Sequence, residues 1–384
     1  MAEWIDGIKY EGSCVVDADP RITRARIKAG TRVIGAHAFY SCQKLISVRL
    51  PDSVTAIEEY AFARCYNLAS IRMSPNTAFI GKDAFQCCKS LSAVKLPVNI
   101  TKISKGAFFG CCWLKSLVLP RGITAIEESA FGSCCSLKSI VIPDGVVSLG
   151  QYTFKNCSDL TEIILPSSLT DIEAECFADC KSLTSVELPD SLRIIGDGTF
   201  KNCCGLRSIK FPDGLSRMGR EAFADCTGLQ TVCLPPRLNI IPEKCFSGCS
   251  SLSSLSVPPS ITGIEAGAFA DCQQLKNAVV PDSVASMGNN AFRSCALENA
   301  PWQQDGLTYW HNVLIGAEPG IETADIRPGT AAISSVAFSG CLRLVRVTVP
   351  DSVAEIGNSA FKNCPKLSEV VLPGRITEIA ESAF

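Results

Sequence analysis

Phenylalanine recurs at one fixed spacing along this 384-residue chain, and that spacing limits the fold more than any other property. Each phenylalanine of the series follows the previous one by 23 residues, except across one gap of 46 where Ile315 takes the missing place. No insertion or deletion breaks the register. The spacing predicts a repeat array instead of the two or three globular domains that the length would otherwise suggest. The series comprises Phe39, Phe62, Phe85, Phe108, Phe131, Phe154, Phe177, Phe200, Phe223, Phe246, Phe269, Phe292, Phe338, Phe361 and Phe384.

Other positions of the repeat keep the same phase. Counted from each phenylalanine, cysteine comes three residues later, leucine six, aliphatics nine and eleven, proline twelve, and further aliphatics fifteen and eighteen. The V-x-L alternation predicts a short strand, which proline ends because it has no N–H for the ladder. The spacings of three and four around Ala-Phe and Cys predict a tight turn followed by a short helical or 3₁₀ stretch. Stacked units would share one core and one parallel sheet.

Two segments show the unit in full: LISVRLPDSVTAIEEYAFARC (45–65) and LTSVELPDSLRIIGDGTFKNC (183–203). In them the chain resembles the BspA-like class of leucine-rich repeats, and the resemblance covers nearly the whole sequence. It implies an α/β, right-handed leucine-rich-repeat solenoid with one parallel β-sheet on the concave face and short helical or 3₁₀ turns on the convex side. It also implies a non-enzymatic role, since members are typically surface or secreted proteins that act in adhesion and protein–protein contact.

Residues 299–330 depart from the motif but keep its phase, and they align with the N-terminus. Residues 6–39 and 305–338 are identical at 13 of 34 positions without a gap. Because the array stops in the middle of a repeat, we expect either a truncated piece of a longer protein or a fragmentary gene. The predicted organisation is an N-terminal capping variant repeat at 1–32, a first array at 33–298, a variant repeat within the same solenoid at 299–330, and a second, truncated array at 331–384.

The cysteines have a structural interpretation. Of 22, 14 lie three residues after the phenylalanine, where a free cysteine acts as a small buried hydrophobe, so we interpret them as a ladder in the core. Neighbouring coils would bring such cysteines within disulfide range, but stacked side chains point in parallel instead of at each other. A zinc site needs C-x-x-C pairs, and none occurs, so no metal is expected. Among the off-phase cysteines, Cys112, Cys135 and Cys204 each follow a ladder cysteine and could point outward.

The sequence offers no arrangement typical of an enzyme. Its two histidines, His37 and His311, lie far apart, and no phosphate-binding, dinucleotide-binding or hydrolase motif occurs. No cofactor and no catalytic residue is therefore expected. The net charge of −2 favours no nucleic-acid partner, and no apolar run is long enough for a membrane span. The first residues do not resemble a signal peptide, so a cytoplasmic location stays open beside the surface location that the resemblance implies.

Binding is expected on the outward side of the sheet. The residue ten after each phenylalanine points away from the core and changes along the array from basic to apolar. Contiguous exposed apolar patches often mark interfaces, although valine and isoleucine are also good strand formers. We expect a monomer that binds an unknown protein or glycan there; the alternative is a structural spacer of a larger protein whose activity lies outside this chain. The candidate residues are Arg49, Arg72, Lys95, Val118, Val141, Ile164, Glu187 and Lys210.

Overall fold

The chain divides into two compact units, residues 1–229 and 230–384. The computed structural model describes residues 2–281, 283–284, 286–288, 290–297, 302–310, 312–376, 379–380 and 382–384, and for 302 and 303 the backbone alone. His311 lies outside the described residues. Each unit is a stack of coils, with one coil for each 23-residue repeat.

Two families of short parallel strands run through the first unit. Equivalent strands of successive coils pair in register, for example Ser47 with Ser70 and Ile34 with Ile57. The three-residue strands are Arg24–Arg26, Ser47–Arg49, Ser70–Arg72, Ala93–Lys95, Ser116–Val118, Ser139–Val141, Glu162–Ile164 and Ser208–Lys210. The two-residue strands are Val33–Ile34, Ala56–Ile57, Phe79–Ile80, Lys102–Ile103, Ala125–Ile126, Ser148–Leu149, Asp171–Ile172, Ile194–Ile195 and Arg217–Met218.

The second unit contains the same two families of strands. Ser254 pairs with Asn277 and Arg346 with Glu369, again in parallel register. The three-residue strands are Thr231–Cys233, Ser254–Ser256, Asn277–Val279, Thr323–Asp325, Arg346–Thr348 and Glu369–Val371. The two-residue strands are Ile240–Ile241, Gly263–Ile264, Ser286–Met287, Ala332–Ile333 and Glu355–Ile356.

Each unit also holds one antiparallel three-stranded meander. In both meanders the third strand pairs in parallel with the first two-residue strand that follows it, so the meander continues the stack. The aligned residues Tyr10 and Tyr309 are both buried, and their hydroxyls accept the N–H groups of Lys28 and Arg327 at 3.3 and 3.1 Å. The strands are Ala2–Ile5, Ile8–Glu11 and Cys14–Ala18 in the first unit, and Trp302–Gln304, Leu307–Trp310 and Val313–Ala317 in the second.

The phenylalanines form a column in the core of the stack. From Phe39 to Phe223, successive rings are nearly parallel, and their centroids lie 5.0–5.8 Å apart. Beside this column, cysteines that lie three residues after a phenylalanine donate their thiols to backbone carbonyls of the neighbouring coil. Cys65 Sγ, for example, lies 3.0 Å from the Phe39 carbonyl oxygen. All 22 cysteines are free thiols.

The prediction of helical or 3₁₀ turns is wrong, and so is the predicted α/β class. In the described parts of both units no helix is present. A helix needs each N–H to bond within its own coil. Here the bonds alternate. Phe39 N–H donates to Ala61 of the next coil at 2.8 Å, whereas Tyr40 N–H donates to His37 of its own coil at 2.8 Å.

Two residues of each such segment impose this alternation. His37 and Ser41 both have φ of 60°, and residues of the left-handed region recur at the same two positions in later coils. A left-handed residue every fourth position interrupts any helix. The solenoid of stacked coils is confirmed, but it is built from strands and turns, with two families of parallel strands in place of the single sheet that was expected.

Candidate functional site

The outward side of the three-residue strands is the most distinctive surface of the first unit. In each strand the middle residue is buried and its two neighbours point to solvent, as in Ser47–Arg49, where Val48 is buried. This pattern follows from the period of two in a strand, which sends alternate side chains to opposite faces. The strands therefore present two outward positions per coil, eight and ten residues after each phenylalanine.

The position ten residues after the phenylalanine forms one line across the strands, which we call the outer row. Equivalent residues lie side by side: Arg49 pairs with Arg72, Lys95 with Val118, Val141 with Ile164, and Glu187 bridges to Lys210. All eight residues predicted from the sequence are exposed. The row consists of Arg26, Arg49, Arg72, Lys95, Val118, Val141, Ile164, Glu187 and Lys210.

The first part of the outer row is a run of four cations. Arg26, Arg49 and Arg72 lie in direct register on paired strands, with Lys95 on the next coil. Like charges directly opposite each other are destabilising. Within the described residues no ion pair reaches any of the four, although lysines nearby, such as Lys105 with Glu128 at 2.6 Å, do have partners. The run is therefore a band of positive charge without an internal counter-ion.

The second part of the row is apolar and open to solvent. Val118, Val141 and Ile164 are 82%, 57% and 51% exposed. Three adjacent aliphatic side chains with this exposure keep apolar surface in water that burial against a partner would remove. The cationic and apolar parts meet at Lys95 and Val118, which are paired residues on adjacent strands.

A groove lies beside the cationic part, at the carboxyl ends of two strands. Its lining includes Arg72, Lys95, Met73, Val98 and Asp52, and its volume is about 590 Å³. Val98 is 78% exposed. The groove places apolar side chains next to two cations of the outer row. The surface therefore combines positive charge and apolar area here as well.

Two cations of this surface were not predicted from the sequence. Arg24 and Arg26 occupy the outward positions of the strand that precedes the first complete repeat. They were missed because residues 1–32 were interpreted as a cap instead of as a coil with its own outward positions. The available signal was the phase: Arg26 precedes Arg49 by one period of 23 residues.

Glu127 and His37 of the first unit have structural partners. The Glu127 carboxylate accepts hydrogen bonds from Lys102 Nζ and the Lys105 N–H, both at 2.9 Å. Partial burial acts to raise the pKa of Glu127, but these two hydrogen bonds outweigh it and lower the pKa. His37 is exposed, and its ring stacks on Tyr60 at 5.0 Å between centroids.

Among the described residues, no cluster of three or more histidine, cysteine or acidic side chains could hold a metal ion. Nor does the described part of the chain contain a helix with the length and apolar character that crossing a membrane requires.

Stacked coils of 23 residues, strands in register and a leucine-lined core define a leucine-rich-repeat solenoid. A family model described as BspA type leucine rich repeat region (6 copies) matches residues 18–138, 124–203, 170–298 and 318–384. The chain therefore belongs to the BspA-type leucine-rich-repeat family, whose fold is generally used for protein interaction. A comparison with curated protein sequences finds no match.

The chain is similar to several solved structures of bacterial leucine-rich repeat proteins. A leucine-rich repeat protein from Bacteroides ovatus has 25% identity and a TM-score of 0.61, and the match covers 98% of this chain and 93% of that one. A leucine rich cell surface protein from Faecalibacterium prausnitzii has 21% identity and a TM-score of 0.44, covering 97% and 94%. A leucine-rich repeat protein from Eubacterium ventriosum has 18% identity and a TM-score of 0.48, covering 98% and 96%.

Proposed function

We propose that this protein is a non-enzymatic binding module that holds a protein partner on the outer row. The observation that supports the proposal is the row itself, in which unpaired cations run directly into exposed aliphatic side chains. The cations repel one another and the aliphatics expose apolar area, so a partner that supplies acidic groups and apolar surface would relieve both.

A protein partner fits this surface better than a glycan or a single-stranded nucleic acid. Stacking on aromatic side chains is a main contributor to binding of unpaired bases, and sugar rings also pack on aromatic faces. From Arg24 to Lys210 the outward positions of the three-residue strands carry no aromatic residue. From Arg26 to Ile164 the row spans seven coils, or about 29 Å at ~4.8 Å per strand, which is enough for an extended segment of about nine residues.

Two triple variants test the proposal. Partners are first captured by cross-linking, and the affinity of an identified partner is then measured by surface plasmon resonance. We expect Arg49→Ser/Arg72→Ser/Lys95→Ser to weaken binding by about 10–100-fold, and the loss should shrink at high salt because the interaction is between exposed charges. Val118→Ser/Val141→Ser/Ile164→Ser should weaken binding by a similar factor without that dependence on salt.

The matched control removes three exposed lysines that lie away from the outer row, in Lys44→Ser/Lys82→Ser/Lys181→Ser. Its affinity should stay within about twofold of the wild type, and circular dichroism should show all three variants folded. A spacer would have no contact on the row. Wild-type affinity in both row variants would therefore reject the outer row as the surface that holds the partner.

A further inference from the structure

A second surface of the first unit carries two thiols at equivalent positions of adjacent coils. Cys112 and Cys135 both lie four residues after a core phenylalanine, and both are partly exposed. Their side chains adopt the same local geometry: Cys112 Sγ donates to the Gly110 carbonyl at 3.4 Å, and Cys135 Sγ donates to the Ser133 carbonyl at 3.5 Å. The two thiols are therefore related by the step from one coil to the next.

The backbone fixes the length of that step. The N–H of Ser136, the residue after Cys135, donates to the Cys112 carbonyl at 3.0 Å, so the two coils are hydrogen-bonded where the thiols lie. Although neither residue is in a strand, backbones joined by such a bond are about as far apart as paired strands, about 4.8 Å. A disulfide needs Cβ atoms about 3.5–4.5 Å apart, which parallel side chains at this spacing do not reach without movement of the backbone.

The same spacing suits two sulfur atoms on opposite sides of one metal ion. Zinc–thiolate bonds are about 2.3 Å long, and a linear S–metal–S unit with bonds of similar length spans about 4.6 Å. Soft monovalent ions such as Cu(I) prefer thiolate ligands. The two positions that flank the pair in the same column are Lys89 and Ser158, so a cationic side chain lies one coil away from Cys112.

A thiol that coordinates a metal ion gives up its proton, so binding at this pair would release protons to solvent.

We propose that Cys112 and Cys135 bind one soft monovalent cation of the Cu(I) class as a linear bis-thiolate. On binding, both S–H bonds break, two protons pass to solvent and two sulfur–metal bonds form. The oxidation state of the ion and of both sulfurs stays unchanged. The site lies on a different column from the outer row and is independent of partner binding there.

The chain supplies its own control for this site. Cys204 occupies the same position four residues after its phenylalanine, is equally partly exposed, and donates to the Asn202 carbonyl at 3.5 Å. Its neighbours in the column are Lys181 and Thr227, so it lacks a second thiol at that position. Position in the repeat is thus matched and the thiol is likewise partly exposed, but Cys204 has no second thiol beside it in its column.

The experiment is an anaerobic Cu(I) titration of the reduced protein against a chromophoric Cu(I) chelator. We expect one tightly bound equivalent and the release of two protons per ion. Cys112→Ser and Cys135→Ser should each weaken this equivalent by at least the roughly 10–100-fold that loss of an outer-shell partner costs at a metal site. Cys204→Ser should leave it unchanged. Thr227→Cys, which adds a second thiol beside Cys204, should create a second tight equivalent.

Two results would overturn the inference. The first is a tight equivalent that survives in Cys112→Ser while circular dichroism shows the variant folded. The second is a reduced wild-type protein that takes up no tightly bound Cu(I) in this titration. The gain expected in Thr227→Cys does not depend on the folding of either serine variant.

Discussion

At the scale of single residues, the buried thiols have a large effect on the stability of this protein. Cys134, for example, is fully buried, and its thiol donates to the Phe108 carbonyl at 3.3 Å. Burial raises the pKa of these thiols, to about 11 for Cys42 and Cys341 and beyond that for more deeply buried members of the series. Each such thiol must stay protonated while it is buried in the folded coil.

Stability should therefore fall steeply in mild alkali. A thiol whose pKa is raised by folding contributes stability that is complete below the unfolded pKa, near 8.5, and is lost as the pH rises towards the folded pKa. Above about pH 9 the free energy of unfolding should drop by ~1.4 kcal/mol per pH unit for each buried thiol. Urea unfolding at a series of pH values, with reductant present, measures this slope.

A comparison of two substitutions isolates the effect. In Cys134→Ala the free energy of unfolding should fall less steeply with pH, by about the contribution of one buried thiol. The variant should nevertheless be less stable than the wild type at pH 7. Cys233→Ser, at an exposed cysteine, should leave the slope as it is. Equal slopes in the wild type and Cys134→Ala would contradict the explanation.

Val336 is the least suitable residue type at a left-handed position of the turns. Its φ is 58°, where a β-branched side chain is a clear outlier. Val336→Gly should raise the free energy of unfolding by about 1 kcal/mol, because glycine adopts this conformation without strain. Val147→Gly is the control: this exposed valine does not have a positive φ, and its replacement should lower stability instead. Thermal melts of both variants show whether each substitution raises or lowers the stability of the protein.

At the scale of the coil, close approach of one backbone to the next determines where side chains are tolerated. Gly81 lies against the preceding coil, and a Cβ at this position would come within 2.6 Å of the Glu59 nitrogen and 2.7 Å of the Glu58 carbonyl carbon. Backbone atoms cannot rotate away as a flexible side chain can. The glycine is therefore required by packing, since its φ is not positive.

Gly81→Ala should destabilise the first unit by about 1–3 kcal/mol, as expected for overpacking. At Gly122 the nearest atom to such a Cβ is 3.8 Å away, which is ordinary contact. Gly122→Ala should therefore be neutral or stabilise by up to about 1 kcal/mol. Chemical denaturation of the two variants provides the test, and an equal effect at both glycines would refute the steric argument.

The sequence predicted some elements well and others poorly, for identifiable reasons. Val48 between Ser47 and Arg49 shows a period of two, which only a strand satisfies, so the three-residue strands and their outward residues could be predicted. The spacing of three and four around Phe39 suits a helix and a series of turns equally. What decides is the positive φ of His37 and Ser41. Serine gives no signal of it, whereas the glycine and asparagine at the same positions of other coils, such as Gly106 and Asn156, do.

At the scale of the whole chain, stability should be the sum of many similar contacts between neighbouring coils. The phenylalanine column makes this testable because its members differ in surroundings. Phe131 is fully buried between Phe108 and Phe154, with centroids 5.8 and 5.5 Å away. Phe384 stacks on Phe361 at 5.0 Å but is 58% exposed.

Phe131→Ala should lower the free energy of unfolding by about 3–5 kcal/mol, because it leaves a cavity with coils on both sides. Phe384→Ala should lower it by less than about 1.5 kcal/mol, since much of that ring is already in water. Calorimetry of the two variants measures both values. Comparable losses would show that the coils do not contribute through local contacts alone.

The alternating hydrogen bonds of the turns have a consequence for how such a gene can change. Each coil presents to the next coil the same hydrogen-bond donors and acceptors that the previous coil presents to it, at the same positions of the repeat. Recombination that duplicates or deletes one whole period therefore joins surfaces that already match, whereas gain or loss of a single codon misaligns them. Selection can lengthen, shorten or reorder the outer row in steps of one coil, and a new binding surface can arise without a new fold.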